Sequence, residues 1–411
     1  MSRAAIAVRP GAPHDEDAIC ACVEAAFSLR FAPGWRERLG QAVESGATRV
    51  AVVEGEVVGV VSLVSVELTL PGAATLEAGA LTWAAVLPTD RRRGVLSALM
   101  ASVLEEARSI GLAALTLYAS EGGIYRRFGF GVATRAARYV VARHAAALDA
   151  ALGGASGRVR LVSGEEAHEA FPAVFELARR QRAGEVSRPE ALWAARFDSG
   201  GGDHPSAARF FAAYVDRGRI DGYLIYEIPP SSGHFDERVV EVVELVATTD
   251  AAYQELWRFV LGLDLVGEIT TGHRPVDEPL RHLLANPRAL QVRALEDHTW
   301  LRLVDVATAL TARRYHGAGA LVLDLSDGQC AGNQGCFALV SDPLGRAAVE
   351  RAEGPGDLQL DVACLAEVFL GGERPQSLAA AGRIRVRSPE ALNELDRLLS
   401  SWPAPYCTAD F

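Results

Sequence analysis

The chain has 411 residues, of which 49% are hydrophobic and 23% charged, and 41 basic against 52 acidic residues leave a formal net charge of −11. This length and composition exclude a disordered chain and predict a globular protein of two or three domains. The negative charge argues against nucleic acid as a partner, because phosphate binding needs a concentrated basic face, and it is compatible with a small cationic substrate.

The N-terminal segment has only a short apolar run before it turns acidic, which is not typical of a signal peptide. No apolar stretch reaches the roughly 18 residues of a membrane span, so we expect a cytoplasmic protein without membrane contact. The six cysteines form no C-x-x-C pair and have no histidine cluster at zinc spacing. We therefore predict no metal site.

The first third of the chain alternates β-branched runs with segments whose apolar residues recur at helical spacing. Glycine and proline separate these segments. In chain order the pattern predicts a helix over 14–27, a hairpin of strands over 49–53 and 57–66, a strand over 76–86, a helix over 94–109, a strand over 113–118, a short helix over 122–128 and a strand over 137–142.

An Ala/Gly-rich stretch over 145–157 indicates a domain boundary, and a similar order of elements follows it. When Asp90 is aligned with Asp250, the two strand-to-helix junctions superpose as a faint internal repeat. The second copy lacks the basic turn of the first. The pattern predicts helices over 165–182 and 250–261 and strands over 208–215, 219–228 and 238–248.

The pattern changes again from about Trp300. Two strand-like runs, GALVLDL and GCFALV, are followed by predicted helices over 362–370 and 389–400. The chain closes with the aromatic tail SWPAPYCTADF. The alternation of helices and strands throughout predicts a mixed α/β (α+β) fold.

The strand LTWAAV, the turn LPTD and the basic run Arg91-Arg92-Arg93-Gly94 precede a long predicted helix. The first amides of a helix have no partner within the helix, and the helix dipole makes that end positive. Gly94 permits close approach of a ligand to the backbone, and arginines add forked donors. A basic tripeptide alone is usually a solvated surface; its place between a strand and an amphipathic helix favours a pyrophosphate site.

A second motif, SEGGIYRRFGF, follows the next strand. It places Tyr125 in a short turn or helix beside the strand ends. A tyrosine alone is more often a packed core residue. The order and separation of the two motifs favour a functional phenol.

The R-x-x-G-x-x helix start, followed about 30 residues later by Y-x-x-x-G-F, resembles the GNAT N-acetyltransferase superfamily. The longer segments VLPTDRRRGVLSALM and YASEGGIYRRFGFG, the degenerate second half and the terminal phenylalanine resemble the Eis (enhanced intracellular survival) family of aminoglycoside N-acetyltransferases. Leu96 departs from the general GNAT pattern, which has Gly or Ala there, but Eis-type sequences share that departure. The resemblance implies a GNAT acetyltransferase domain over 1–145, a degenerate GNAT-like domain over 146–295 and a sterol-carrier-like domain over 296–411.

The resemblance also implies a role for particular residues, with acetyl-CoA as the co-substrate. Tyr125 would act as general acid and the α-carboxylate of Phe411 as general base. Substrate contacts would come from Phe27, Trp35, Trp83 and Asp410. Cofactor contacts would come from Ala84, Ala85, Val86, Arg91, Arg92, Arg93, Gly94, Val95, Leu96, Ser97, Ser120 and Glu121.

The expected reaction is direct transfer of an acetyl group to an amine of an aminoglycoside or similar polyamine, at several positions. A phenol is protonated at neutral pH and can donate to the leaving thiolate, whereas a terminal carboxylate is a weak base that needs desolvation or a bridging water. The resemblance implies a homohexamer. Two alternatives stay open: a protein lysine or other small amine as acceptor, and a non-enzymatic lipid-binding scaffold.

Overall fold

Two compact units make up the chain. The computed structural model describes residues 5–31, 33–197, 208–230 and 238–409. The first unit comprises 1–134, 298–401 and 409–411, and the second comprises 135–297 and 402–408. Within the described ranges, no helix has the length and apolar character needed to cross a membrane.

The N-terminal part of the first unit contains the predicted long helices and strands, and it adds the helix Pro33–Glu44 and the short strands Ala7–Pro10 and Gly131–Val132, which the pattern did not predict. The predicted helix over 122–128 is wrong, because only Arg126–Phe128 forms a single 3-10 turn. Gly122 and Gly123 explain the difference, since each glycine costs a helix about 1 kcal/mol relative to alanine. The elements are β1 (Ala7–Pro10), α1 (Glu16–Phe27), α2 (Pro33–Glu44), β2 (Thr48–Val53), β3 (Glu56–Thr69), β4 (Thr75–Val86), α3 (Val95–Ser109), β5 (Ala114–Tyr118) and β6 (Gly131–Val132).

The second unit is built on an eight-stranded sheet of order β13-β7-β12-β11-β10-β9-β8, with β14 also paired to β7. Its two longest helices begin at side-chain caps, the hydroxyls of Ser163 and Thr249. The elements are β7 (Arg135–Ala142), β8 (Arg158–Val162), α4 (Gly164–Arg179), α5 (Glu190–Phe197), β9 (Ala208–Asp216), β10 (Arg219–Ile228), β11 (Val239–Ala247), α6 (Asp250–Leu261), β12 (Glu268–Thr271), β13 (Arg274–Pro275), α7 (Leu280–Leu283) and β14 (Leu290–Asp297).

The C-terminal part of the chain completes the first unit. Its first strand, β15, lies between β5 and β6, so the seven-stranded sheet has the order β1-β2-β3-β4-β5-β15-β6. A separate five-stranded sheet has the order β18-β17-β16-β19-β20. The elements are β15 (Thr299–Leu303), α8 (Val306–Ala312), β16 (Gly319–Ser326), β17 (Gly335–Ser341), β18 (Ala347–Ala352), β19 (Leu358–Asp361), α9 (Val362–Phe369), α10 (Pro375–Ala380), β20 (Arg385–Val386) and α11 (Pro389–Leu399).

Helix α3 packs tightly on the seven-stranded sheet. A Cβ on Gly59 of β3 would lie 2.7 Å from Cγ1 of Val95, so the glycine lets the first turn of the helix approach the strand. Leu99 and Val103, one and two turns further on, are fully buried. This contact sets the position of the helix start relative to the neighbouring strand β4.

Strands β4 and β5 separate at one end. They pair in parallel from Ala78 to Leu81 of β4, but β4 continues to Val86. Among the described strands, none pairs with residues 82–86 on the β5 side. The backbone groups on that side are therefore available to an extended ligand.

A buried ion pair anchors β15 in the first unit. Both oxygens of Asp327 accept hydrogen bonds from the Arg302 guanidinium, at 2.8 and 2.7 Å, and the side chains are at most 1% exposed. The Asn333 amide donates to the same carboxylate at 2.9 Å. Although burial raises the pKa of Asp327, the charge of Arg302 and these hydrogen bonds outweigh it and hold the pKa below its usual value.

Candidate active site

The start of α3 has the features of an anion site. Gly94 is its N-cap, with φ of 97°, and no side chain caps the first amides. The first turn carries no acidic residue. An alanine Cβ at this position would have only Cδ1 of Ile6 within 4 Å, at 3.9 Å, so the space beside Gly94 is open. Uncapped amides at the positive end of a helix dipole can bind phosphate.

The arginines before Gly94 are partly committed to the protein. Arg91 donates to the carbonyl of Ala26 at 3.0 Å, which ties the turn to the end of α1. Arg93 forms an ion pair with Asp90, whose side chain is 11% exposed. These side chains hold the turn in shape. The backbone from Gly94 to Ser97 is thus the better-placed donor set for a pyrophosphate, with the arginines contributing charge.

The open edge of β4 leads to this turn. Ala84 and Val86 are half-buried and Ala85 is buried, in the part of the strand that has no β5 partner. Ser120 and Glu121 follow β5 and are exposed. An open strand edge that ends at an uncapped helix start fits a ligand with an extended amide-containing arm and a diphosphate, as acetyl-CoA has.

Tyr125 lies at the start of the 3-10 turn and is buried, with 5% of its surface exposed. Its ring packs edge-on against Phe130, with centroids 6.0 Å apart. Burial, followed by the nearby charge of Glu121, raises the pKa of the phenol. Within the described residues no group pairs with its hydroxyl. A protonated phenol with an uncommitted hydroxyl is suited to general acid chemistry.

Three aromatic rings meet beside β4. Trp83 makes edge contacts with Phe31 and Trp35, at centroid distances of 5.1 and 5.5 Å. Trp83 has φ of 56°, at the bulge where β4 changes register against β3. The Glu24 carboxylate accepts a hydrogen bond from the Phe31 amide at 2.9 Å. This bond fixes the position of Phe31, at the start of the segment that also carries Trp35.

The structure brings together two of the four expected substrate residues, Trp35 and Trp83. Phe27 ends α1 and is 40% exposed. Asp410, together with the expected base Phe411, lies outside the described residues. Phe31, which belongs to the same cluster, was not among the predicted substrate residues. Its spacing of four from Trp35 is the sequence feature that could have indicated it.

The corresponding junction of the second unit is built differently. Helix α6 starts with a Thr249 hydroxyl that already accepts from the Ala252 amide, and Asp250 adds a negative charge to the first turn. One group of the strand edge is also taken, because Arg274 donates to the carbonyl of Leu245 at 2.8 Å. A capped, acidic helix start opposes phosphate binding. The described residues contain no group of His, Cys, Asp and Glu arranged to hold a metal ion.

Comparisons with known proteins match all three parts of the chain. Two models described as an acetyltransferase (GNAT) domain match residues 7–133 and 184–303, and a sterol carrier protein domain matches residues 306–408. These matches confirm the predicted order of two GNAT folds and a sterol-carrier fold.

Whole-chain relatives agree with the domain matches. The chain is 37% identical over 359 residues to the N-acetyltransferase Eis of Mycobacterium tuberculosis, which covers 84% of each chain. It is 36% identical over 351 residues to an uncharacterized N-acetyltransferase of Streptomyces avermitilis, covering 83% of this chain and 82% of the relative. The crystal structure of Eis1 from Mycobacterium abscessus matches with a TM-score of 0.87 at 31% identity, covering 98% of this chain and 100% of that one.

Proposed function

Because the chain belongs to the Eis family of GNAT N-acetyltransferases, we propose that it acetylates the amines of aminoglycosides and similar polyamines, at more than one position. The observation that carries the proposal is the uncapped start of α3 at Gly94 beside the open edge of β4. The second GNAT fold has a capped, acidic helix start at the corresponding place, so we assign the reaction to the first. The homohexamer and the cytoplasmic location stay predictions.

Acetyl-CoA supplies the acetyl group as an activated thioester. The backbone of Ala84–Val86 would hold its pantetheine arm, since amides and carbonyls at a free strand edge pair with an extended amide chain. The amides of Gly94 to Ser97 would hold its pyrophosphate. Ser120 and Glu121, exposed directly after β5, would make the further cofactor contacts that the family resemblance implies.

Tyr125 is the proposed general acid. When a substrate amine attacks the acetyl carbon, the carbon–sulfur bond breaks and the sulfur needs a proton. The raised pKa of the buried phenol keeps that proton in place at neutral pH until the sulfur becomes basic. Such assistance is worth about 10²–10⁴ in rate.

The α-carboxylate of Phe411 is the proposed general base, by resemblance to the family. It would accept the proton that the attacking amine releases, directly or through a water. An ordinary terminal carboxylate has a pKa of about 3.5, so its effectiveness depends on its position and on partial desolvation. The negative charge would also attract a cationic substrate.

Two features support a polycationic acceptor. The net charge of −11 attracts cations over a distance. The cluster of Phe31, Trp35 and Trp83 presents aromatic faces of the kind that bind ammonium groups. The Arg38 guanidinium already lies 4.2 Å from the Trp35 ring centroid, so that ring is occupied by one cation on one side.

The test is thiol release from acetyl-CoA with kanamycin, tobramycin, spermidine and a lysine peptide as separate acceptors, followed by mass spectrometry of each product. We expect two or more added acetyl groups on an aminoglycoside. Tyr125→Phe is the matched control for background transfer and should lose about 10²-fold or more in kcat.

Preference for the lysine peptide, or a single acetyl on spermidine alone, would replace the proposed acceptor and leave the chemistry intact. Absence of thiol release with every acceptor, in protein that still binds acetyl-CoA, would refute the proposed function.

A further inference from the structure

The guanidinium of Arg126, the residue directly after Tyr125, is bound to two carboxylates from the C-terminal part of the first unit. One of its nitrogens donates to Glu367 at 2.8 Å, and the other donates to Asp361 at 2.8 Å. The second nitrogen also donates to the sulfur of Cys364 at 3.4 Å. Because one planar group binds acceptors at the start and near the end of α9, the contact fixes direction as well as distance.

Helix α9 is a firm anchor for this contact. Every residue of the helix except Glu367 is buried. The Asp361 side chain caps the helix by accepting from the Cys364 amide at 2.7 Å. Glu367 is 13% exposed and accepts from Arg383 as well, at 2.7 Å. Two arginines therefore share one carboxylate, which gives a better-defined geometry than a single surface ion pair has.

The strand that follows the turn also lies directly on this helix. A Cβ on Gly131 of β6 would overlap the carbonyl oxygen of Ala363 and would lie 2.9 Å from the amide nitrogen of Glu367. Only glycine lets the backbone approach α9 so closely. The segment that carries Tyr125 is thus held on α9 at two points, Arg126 and Gly131.

The N-terminal side of the turn gives the phenol less support. Residues 120–123 are exposed and include two consecutive glycines. The turn itself is a single 3-10 turn, closed by the Phe128 amide, which donates to the carbonyl of Tyr125 at 2.9 Å. A single turn of this kind fixes few dihedral angles, so its orientation depends on the contacts that follow it.

We propose that Arg126 is a positioning residue, which joins the turn that carries Tyr125 to α9 and so fixes the direction of the phenol. The inference rests on the proposed function, in which Tyr125 is the general acid. It gives the part of the chain that matches a sterol carrier protein domain a task in catalysis. The Tyr125 ring is held by packing against Phe130, so the backbone of the turn sets where its hydroxyl points. A misplacement of about 1 Å at a reacting group can cost about 10²-fold in rate.

The test places Arg126→Gln in two backgrounds, the native chain and Tyr125→Phe. If Arg126 acts through the phenol, its loss matters only where the phenol is present. The substitution leaves no buried charge unpaired, because Glu367 keeps Arg383 and the Asp361 side chain is 46% exposed.

Two further variants separate the contact from its surroundings. Arg127→Gln is the matched control, since Arg127 is exposed and its guanidinium lies 4.8 Å from the Phe128 ring centroid, without an ion pair to any residue in the described ranges. Asp361→Asn weakens the contact from the side of α9. Asparagine caps a helix as well as aspartate does, so α9 should keep its start.

We measure kcat and KM for acetyl-CoA, with thermal unfolding of each variant. Arg126→Gln should lower kcat by about tenfold to 10²-fold in the native background and by less than about twofold in Tyr125→Phe, because groups that act as a unit are not additive. Asp361→Asn should lower kcat by a smaller factor, again only where the tyrosine is present. KM for acetyl-CoA should stay within about twofold, and Arg127→Gln should behave like the native chain.

The failures are distinguishable. If Arg126→Gln lowers kcat by the same factor with and without the tyrosine, the contact supports the fold in general; this overturns the inference and leaves Tyr125 as the acid. An unchanged kcat in Arg126→Gln does the same. A loss in Arg127→Gln as large as that in Arg126→Gln assigns the effect to positive charge near the site and also overturns the inference. A Tyr125→Phe chain with native kcat refutes the proposed acid, and the inference falls with it.

Discussion

Replacing Gly94 by alanine tests the cofactor turn against a control in the same helix. Gly94 and Gly111 lie at opposite ends of α3 and have φ of 97° and 79°. A Cβ would meet only Cδ1 of Ile6 at 3.9 Å at the first position, and nothing within 4 Å at the second. Both substitutions therefore strain the backbone without a steric clash. Only the first changes the proposed pyrophosphate site.

The strain has a similar size in both variants. A left-handed backbone costs an L-residue about 1–2 kcal/mol. At Gly111 that cost can only lower the stability. At Gly94 we expect the same cost to be accompanied by a rotation of the turn that points its amides away from the ligand. Each charge-assisted hydrogen bond lost is worth about 1.5–3 kcal/mol, which is tenfold or more in affinity.

The assay is calorimetric titration with CoA, alongside thermal unfolding without ligand. We expect a similar loss of thermal stability in Gly94→Ala and Gly111→Ala, and at least about tenfold weaker CoA binding in Gly94→Ala alone. Measuring binding without an acceptor separates this effect from catalysis. Equal CoA affinity in the two variants would show that the start of α3 does not hold the pyrophosphate.

Three further predictions concern protonation and the buried ion pair. Glu121→Gln should shift the alkaline limb of the kcat–pH profile to lower pH, because the Glu121 charge helps burial to raise the pKa of Tyr125; a limb that does not move would separate that charge from the acid. A short extension after Phe411 should abolish turnover but preserve CoA binding, and normal kcat in the extended chain would assign the base elsewhere. Asp327→Asn should lower the free energy of unfolding by about 3–5 kcal/mol, and Arg302→Met with Asp327→Leu should restore much of it, as followed by thermal unfolding; an equal loss in both would contradict a charge effect. Since the folded pKa of Asp327 is depressed, its contribution is present above the usual carboxyl pKa of about 4 and is lost as the pH falls below it.

The elements with strong local signals were predicted almost to the residue. Helix α6 spans Asp250–Leu261, as the pattern over 250–261 indicated, and α3 begins one residue after Gly94. Their apolar faces repeat over several turns, so the period is unambiguous. The segment over 122–128 forms only the 3-10 turn Arg126–Phe128 and not the predicted helix, because its helical pattern is too short to outweigh two glycines.

Strand pairing between distant segments had no local signal. Strand β15 inserts between β5 and β6, which lie much earlier in the chain. Thr299 of β15, for example, pairs with Tyr118 of β5, about 180 residues before it. Strand β7 joins the second sheet, where it pairs with β12, β13 and β14. A β-branched run shows that a strand forms, but its partner depends on contacts that the run itself does not encode.

The candidate site shows the same division. The basic turn, Gly94 and Tyr125 could be selected from the sequence, because strand, glycine and helix follow one another in a short stretch. The ion pair of Arg93 with Asp90 could not be predicted, and neither could the hydrogen bonds that Thr408 makes with Arg188 and Glu185, which lie more than 200 residues away along the chain.

The order of the main elements, the family and the basic turn before α3 were thus predictable from the sequence alone, since each depends on residues that lie close together in the chain. The tertiary structure alone decided which sheet each strand joins, which side chains are already committed to ion pairs, and how the tail is held. Those features arise from contacts between distant segments, whose energies depend on burial and geometry that no local pattern specifies.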